Sequence, residues 1–157
     1  MRIADITSRF RFYAESHVNP WSFFPFNDEE LVNKIKGTKG RILYLDNWKK
    51  FPSGTDSYIR ENLQMSFYLI DSAVRGDNDN MQSVIDSCEA DAWDLLSRLR
   101  TDTYPHSINP VVIANFDFKS VTIMPTEWLA DNRIGVLVTL TFHSQRSMAY
   151  QTIKWSE

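Results

Sequence analysis

The chain has 157 residues, 43% hydrophobic and 24% charged, a length and balance that suit one globular domain with its own core. A net charge of −3 and a pI near 5.6 exclude the basic footprint from which phosphate-neutralising nucleic-acid binders draw affinity. One cysteine, Cys88, excludes an internal disulfide framework.

The N-terminal stretch MRIADITSRFRFYAES has no continuous apolar segment of the export type, and no run approaches the ~18 apolar residues of a membrane span. The expected place is the cytosol, unless the chain is carried out inside a larger particle. Ile3, Ile6, Phe10 and Tyr13 (or Ala14) recur at three-to-four spacing, which predicts a short helix over 3–16. VNPWSFFPFND follows. Pro20 and Pro25 interrupt regular structure, while Trp21, Phe23, Phe24 and Phe26 are too apolar for a free linker. This stretch is either a loop packed on the domain's own core or an arm docked on a neighbour. NDEELVNKIKG predicts a second short helix, capped by Asn27 or Asp28 and ended by Gly37, with Leu31, Val32 and Ile35 inward.

RILYLDNW (41–48) has strand character, and KKFPSGTDS has the Pro/Gly chemistry of a turn. In ENLQMSFYLIDSAV (61–74), Leu63, Met65, Phe67 and Leu69 alternate with Gln64, Ser66 and Tyr68, which predicts a half-buried strand. The strongest periodicity lies between 78 and 100. Met81, Val84, Ile85, Cys88, Ala92, Leu95, Leu96 and Leu99 form one helical stripe, with Asp77 or Asp79 as cap and Trp93 just off it. TDTYPHSINP reads as a loop and 111–124 as a long strand. PTEWLADNR turns the chain, and 134–144 returns it with Val136, Val138, Leu140 and Phe142 on one face. AYQTIKW (149–155) is a candidate last strand. The expected fold class is α+β: a mainly antiparallel sheet of four to five strands, the long helix about 78–100 on one face, and short N-terminal helices. The chain is expected to form a single domain over 1–157, with 1–26 a packed extension or an arm.

Motifs that carry chemistry do not emerge. His17, His106 and His143 share no metal-ligand spacing. The GDNDN run at 76–80 invites a calcium loop, but counting from Asp79 puts Met81 and Val84 where an oxygen ligand and a glycine are required. No nucleophile elbow or phosphate-cradling glycine loop occurs, and Cys88 falls on an apolar helix stripe where burial keeps a thiol inert. The expectation is therefore no catalytic residue, no cofactor, no metal and no enzyme activity.

Charge is uneven. Residues 77–102 carry seven acids (Asp77, Asp79, Asp86, Glu89, Asp91, Asp94, Asp102) against Arg98 and Arg100, whereas 1–57 carries nine Lys/Arg against seven acids. An acidic helix in one copy meeting a more basic arm in the next competes with an ordinary solvated helix face. Aromatics reach 13%, and rings are enriched at interfaces. Trp21, Phe24, Trp48, Trp93, Trp128, Asp131 and Trp155 are the interface candidates; core or loop packing is the competing reading of each.

Several segments in order, DITSRFRFYAESH, FFPFNDEELVNKIKG, RILYLDNW, NLQMSFYLIDSA, a long helix ending LLSRLR, and NFDFKSVTIMPTEWLADNRIGVLVTLTF, resemble a family of small structural proteins from Bacteroidetes phages and integrated elements. The element order also resembles phage tail-terminator and tail-completion proteins of the neck. That resemblance implies a virion structural protein, made in the host cytoplasm. It implies rings of the chain itself, commonly hexameric, contacting tail-tube and head-connector proteins without direct nucleic-acid recognition or membrane contact. A non-catalytic intracellular interaction or assembly factor is the alternative. A small-ligand binder or enzyme is a third reading.

Overall fold

The computed structural model describes residues 2–26, 31–55, 58–104, 112–128 and 132–145. Within them the element order is α1 (Ile3–Ser16), β1 (Ser22–Phe24), α2 (Leu31–Gly37), β2 (Ile42–Thr55), β3 (Tyr58–Ser72), α3 (Asn78–Asp102), β4 (Thr103–Tyr104), β5 (Val112–Trp128) and β6 (Arg133–Gln145). The fold is α+β. One sheet runs in the order β1-β2-β3-β6-β5-β4. Its four long strands are antiparallel to their neighbours, and the short outer strands β1 and β4 are parallel to theirs.

Period-2 patterning places Leu63, Met65, Phe67 and Leu69 of β3 and Val136, Val138, Leu140 and Phe142 of β6 on one face, all buried. The α3 stripe lies on that face through Cys88, Ala92, Leu95, Leu96 and Leu99, with Val84 and Ile85 packed at its margin. α1 lies there too, through Ile6, Phe10, Tyr13 and Ala14; Phe10 meets Phe67 edge to face at 5.4 Å. On the opposite face a smaller cluster joins Ile35 of α2 to Ile42, Tyr44 and Ile70, with Phe24 and Tyr68 against it. No described helix is long and apolar enough to cross a membrane.

Four local expectations change. The stretch 18–26 is not simply a loop: Ser22–Phe24 pairs with Ile42–Tyr44, and Trp21 enters the core at 5% exposure. Two prolines leave room for three strand residues between them. KKFPSGTDS is not a turn throughout, because β2 continues to Thr55, paired residue by residue with β3 down to Tyr58. Pro52 is tolerated on this outer strand, where its missing N–H leaves no inner ladder incomplete. TDTY is not all loop, since Thr103 and Tyr104 add to the sheet edge. Strand β5 also runs on through Pro125 to Trp128, beyond the expected end at 124, paired with β6. The candidate strand 149–155 and the caps Asn27 and Asp28 lie outside the described residues, as do the side chains of Leu31 and Val32.

Bulges re-aim the strands. Leu45 faces Phe67 but Asn47 faces Ser66, so Asp46 is an extra residue and the parity of β2 reverses there. Trp48 consequently shares the helix-bearing face with Met65, its cross-strand partner. In β5 the register shifts between Asp117 and Thr122; Ser120 Oγ accepts the Thr141 N–H at 2.9 Å, replacing a lost ladder bond.

Candidate functional site

Exposed apolar side chains stand at two margins of the sheet, and Phe12, Val18 and Val74 are exposed elsewhere. On the β2 edge, beyond the short cover of β1, Trp48 is 41% exposed on the helix-bearing face and Phe51 40% exposed on the other. Lys49 Nζ lies 5.8 Å from the centroid of the Phe51 ring. On the β5 side Trp93 of α3 is 43% exposed and stacks with Phe118 at 6.2 Å. The Arg100 guanidinium sits over the Phe118 ring at 5.4 Å, and Met124 is 52% exposed on the opposite face. The shift between Asp117 and Thr122 lets Phe118 reach α3. The exposed acids Asp86 and Glu89 precede Trp93 on the same side of the helix, and Glu89 accepts from the indole N–H at 3.4 Å.

The interface candidates thus separate. Trp48 and Trp93 are exposed, and they stand on opposite margins of the sheet. Trp21 is a correction: its ring lies inside the core beside His17, so it offers no anchor to another molecule. Phe24 is half-buried in the second cluster, against Ile35 and its strand neighbours. The backbone of Trp128 ends β5, but its side chain, Asp131 and Trp155 lie outside the described residues.

A cleft of about 330 Å³ opens between the end of α1 and α3, lined by Phe12, Tyr13, His17, Trp21, Leu95 and Arg98 among others. Tyr13, in its lining, belongs to a clamp between the two helices. Asp102 accepts from Arg9 Nε at 3.1 Å and from the Tyr13 hydroxyl at 2.8 Å. Burial pushes the Asp102 carboxyl up, but hydrogen bonds from Arg9 and Tyr13 and the charges of Arg9 and Arg98 outweigh it, leaving the group below its ordinary range. Burial, aided by the Asp102 carboxylate, pushes the Tyr13 phenol up against the opposing pull of Arg9. Nearby, Arg41 bridges Ser87, Asp91 and Asp71.

No known family model and no curated protein matches the chain.

Sequence patterns missed the pairings that fix the helices. Arg9 and Asp102 lie 93 positions apart. Arg133, inside a stretch read as a turn, is 2% exposed and donates to the carbonyls of Thr38 and Gly40 just beyond α2. No local period announces either. On the open face His143 lies between Asn62 and Asp117, 3.2 Å from the Asp117 carboxylate, so both ring nitrogens face polar partners. That hydrogen bond from His143 holds the Asp117 carboxyl below its usual range. A ring with both nitrogens engaged suits strand cross-linking better than proton shuttling.

Proposed function

We propose that the chain is a virion structural protein of a phage or phage-like particle. In this reading it is a tail-terminator or neck subunit that assembles head to tail into a ring between tail tube and head connector. The supporting observation is the pair of unlike patches on opposite margins of one sheet: Trp48 and Phe51 with Lys49 on β2, and Trp93–Phe118 with Asp86 and Glu89 on the β5 side. A closed ring requires a heterologous interface, in which one patch meets a different patch on the next copy. Aromatic pairing supplies anchor energy, and lysine against carboxylate sets the register. Antiparallel pairing throughout the long strands makes the facing β2 and β5 edges antiparallel too. Bulges, Pro52 and Pro125 discourage unselective strand addition at those edges, so side chains carry the contact.

Complementation tests this reading. Trp48→Glu and Trp93→Glu each destroy one patch and leave the other intact. Light scattering should find rings for the unaltered chain, monomers for each variant alone, and dimers when the two variants are mixed. If the unaltered chain is monomeric both alone and in extracts containing its own particle's tail tube, the ring reading fails. Genes for portal, sheath or tube proteins beside this one would agree with it.

A further inference from the structure

We infer that His17, Asp91 and Asp94 form a binding site for a first-row divalent cation, with Zn²⁺ the best fit, at the mouth of the cleft between α1 and α3. One ligating atom from each residue lies within 4.8 Å of the others. The histidine comes from the turn after α1 and the acids from consecutive turns of α3, so the cluster joins two elements. One imidazole nitrogen with two carboxylate oxygens is a donor set for zinc-type ions, and three protein ligands leave a fourth position for water on the cleft side.

The imidazole is already oriented. Its ring lies 4.3 Å from the Trp21 ring, which fixes its plane. Its Nδ1 is 3.1 Å from the Asn19 carbonyl oxygen. The Asn19 N–H also points at Nδ1, at 3.2 Å, so a backbone donor and a backbone acceptor hold this edge of the ring in either tautomer, with Nε2 4.0 Å from the Asp91 carboxylate. With its proton on Nδ1 the ring offers the Nε2 lone pair as the ligand atom, on the side of the Asp91 carboxylate. Donor atoms around a tetrahedral zinc sit about 3.4 Å apart, so a small rotation of His17 or Asp91 closes the gap.

Among the described residues, the nearest arginines are engaged with other carboxylates as well. Arg41 holds the other Asp91 oxygen but also pairs with Asp71, and Arg98 and Arg9 are directed at Asp102. Arg41 acts as an outer partner that orients Asp91. A bound ion would tie the turn after α1 to the middle of α3. This inference stands apart from the ring reading.

The test uses the full chain, stripped with chelator and dialysed. Calorimetry with ZnCl₂ should give one equivalent, and Co²⁺ should show the visible absorption of a low-coordinate site. His17→Ala and Asp94→Asn should each weaken Zn²⁺ binding at least about tenfold. Asp94 is exposed on α3, so Asp94→Asn keeps the fold if His17→Ala disturbs the Trp21 stack. No heat with millimolar Zn²⁺, or affinity unchanged in Asp94→Asn, overturns the assignment.

Discussion

Single residues set several local energies. Asp77 caps α3 by accepting the Asn80 N–H at 2.9 Å, and Asn80 Oδ1 in turn accepts the Val74 N–H at 2.8 Å. Asp77→Ala should lower stability by about 1 kcal/mol in urea titration, with little change in slope. Gly135 faces Ile70 in the β3–β6 ladder, and a Cβ built there would stand 2.1 Å from the Leu69 carbonyl oxygen. That contact is backbone, which cannot swing aside. Gly135→Ala should therefore cost about 3 kcal/mol or more, readable as a large fall in Tm or loss of soluble protein. Cys88 is fully buried, and burial pushes its thiol up to about 11. Native protein should react with a disulfide reagent far more slowly than denatured protein at neutral pH; equal rates would contradict this packing.

At the scale of elements, α1 is held on α3 by packing and by the Arg9–Asp102–Tyr13 clamp. The folded Asp102 carboxyl lies below its ordinary value, so the unfolded chain binds the proton more readily. Its contribution is present above the unfolded value of about 3.9 and is lost as pH falls through the folded value. Arg9→Met removes the closest charge partner and leaves the carboxylate to the Tyr13 hydroxyl and the more exposed Arg98; it should cost about 2 kcal/mol at neutral pH, below the cost of breaking a fully enclosed pair. That loss should shrink as the buffer is taken into the acid range. A loss independent of pH would mean that Arg9 acts only through its aliphatic stem. The helices were legible from residue spacing: α1 occupies the predicted 3–16, and the long helix is the one foreseen, extended to Asp102. Bulges were not legible, since a period-2 pattern through RILYLDNW carries no mark of the extra Asp46 that turns Trp48 onto the helix-bearing face.

At the scale of the whole molecule, exposed aromatic rings stand at two opposite margins of the sheet: Trp48 and Phe51 at one, Trp93 at the other. If Lys49 and the acids around Trp93 meet between copies, assembly should weaken as salt rises, while the aromatic contact persists. Sedimentation of the full chain across a salt series measures this; association indifferent to salt would leave only the aromatic part of the proposed contact. Replacing Trp93 by Ala should change monomer stability far less than Leu96→Ala, for which the loss of a fully buried side chain predicts about 2–5 kcal/mol.

The amino-acid sequence by itself determined the class and the inward faces. Periodicity is a property of neighbours along the chain, and Leu63–Leu69, the α3 stripe and Val136–Phe142 display it without reference to distant residues. Trp48 and Trp93 were visible as candidates for the same reason that Trp21 was: composition registers a ring but not its surroundings. Only the tertiary structure decided that Trp21 is enclosed, that Trp48 and Trp93 stand on opposite margins, and that His17 meets Asp91 and Asp94. Each of these depends on which long-range strand and helix contacts form, and close packing joins residues that no local pattern relates.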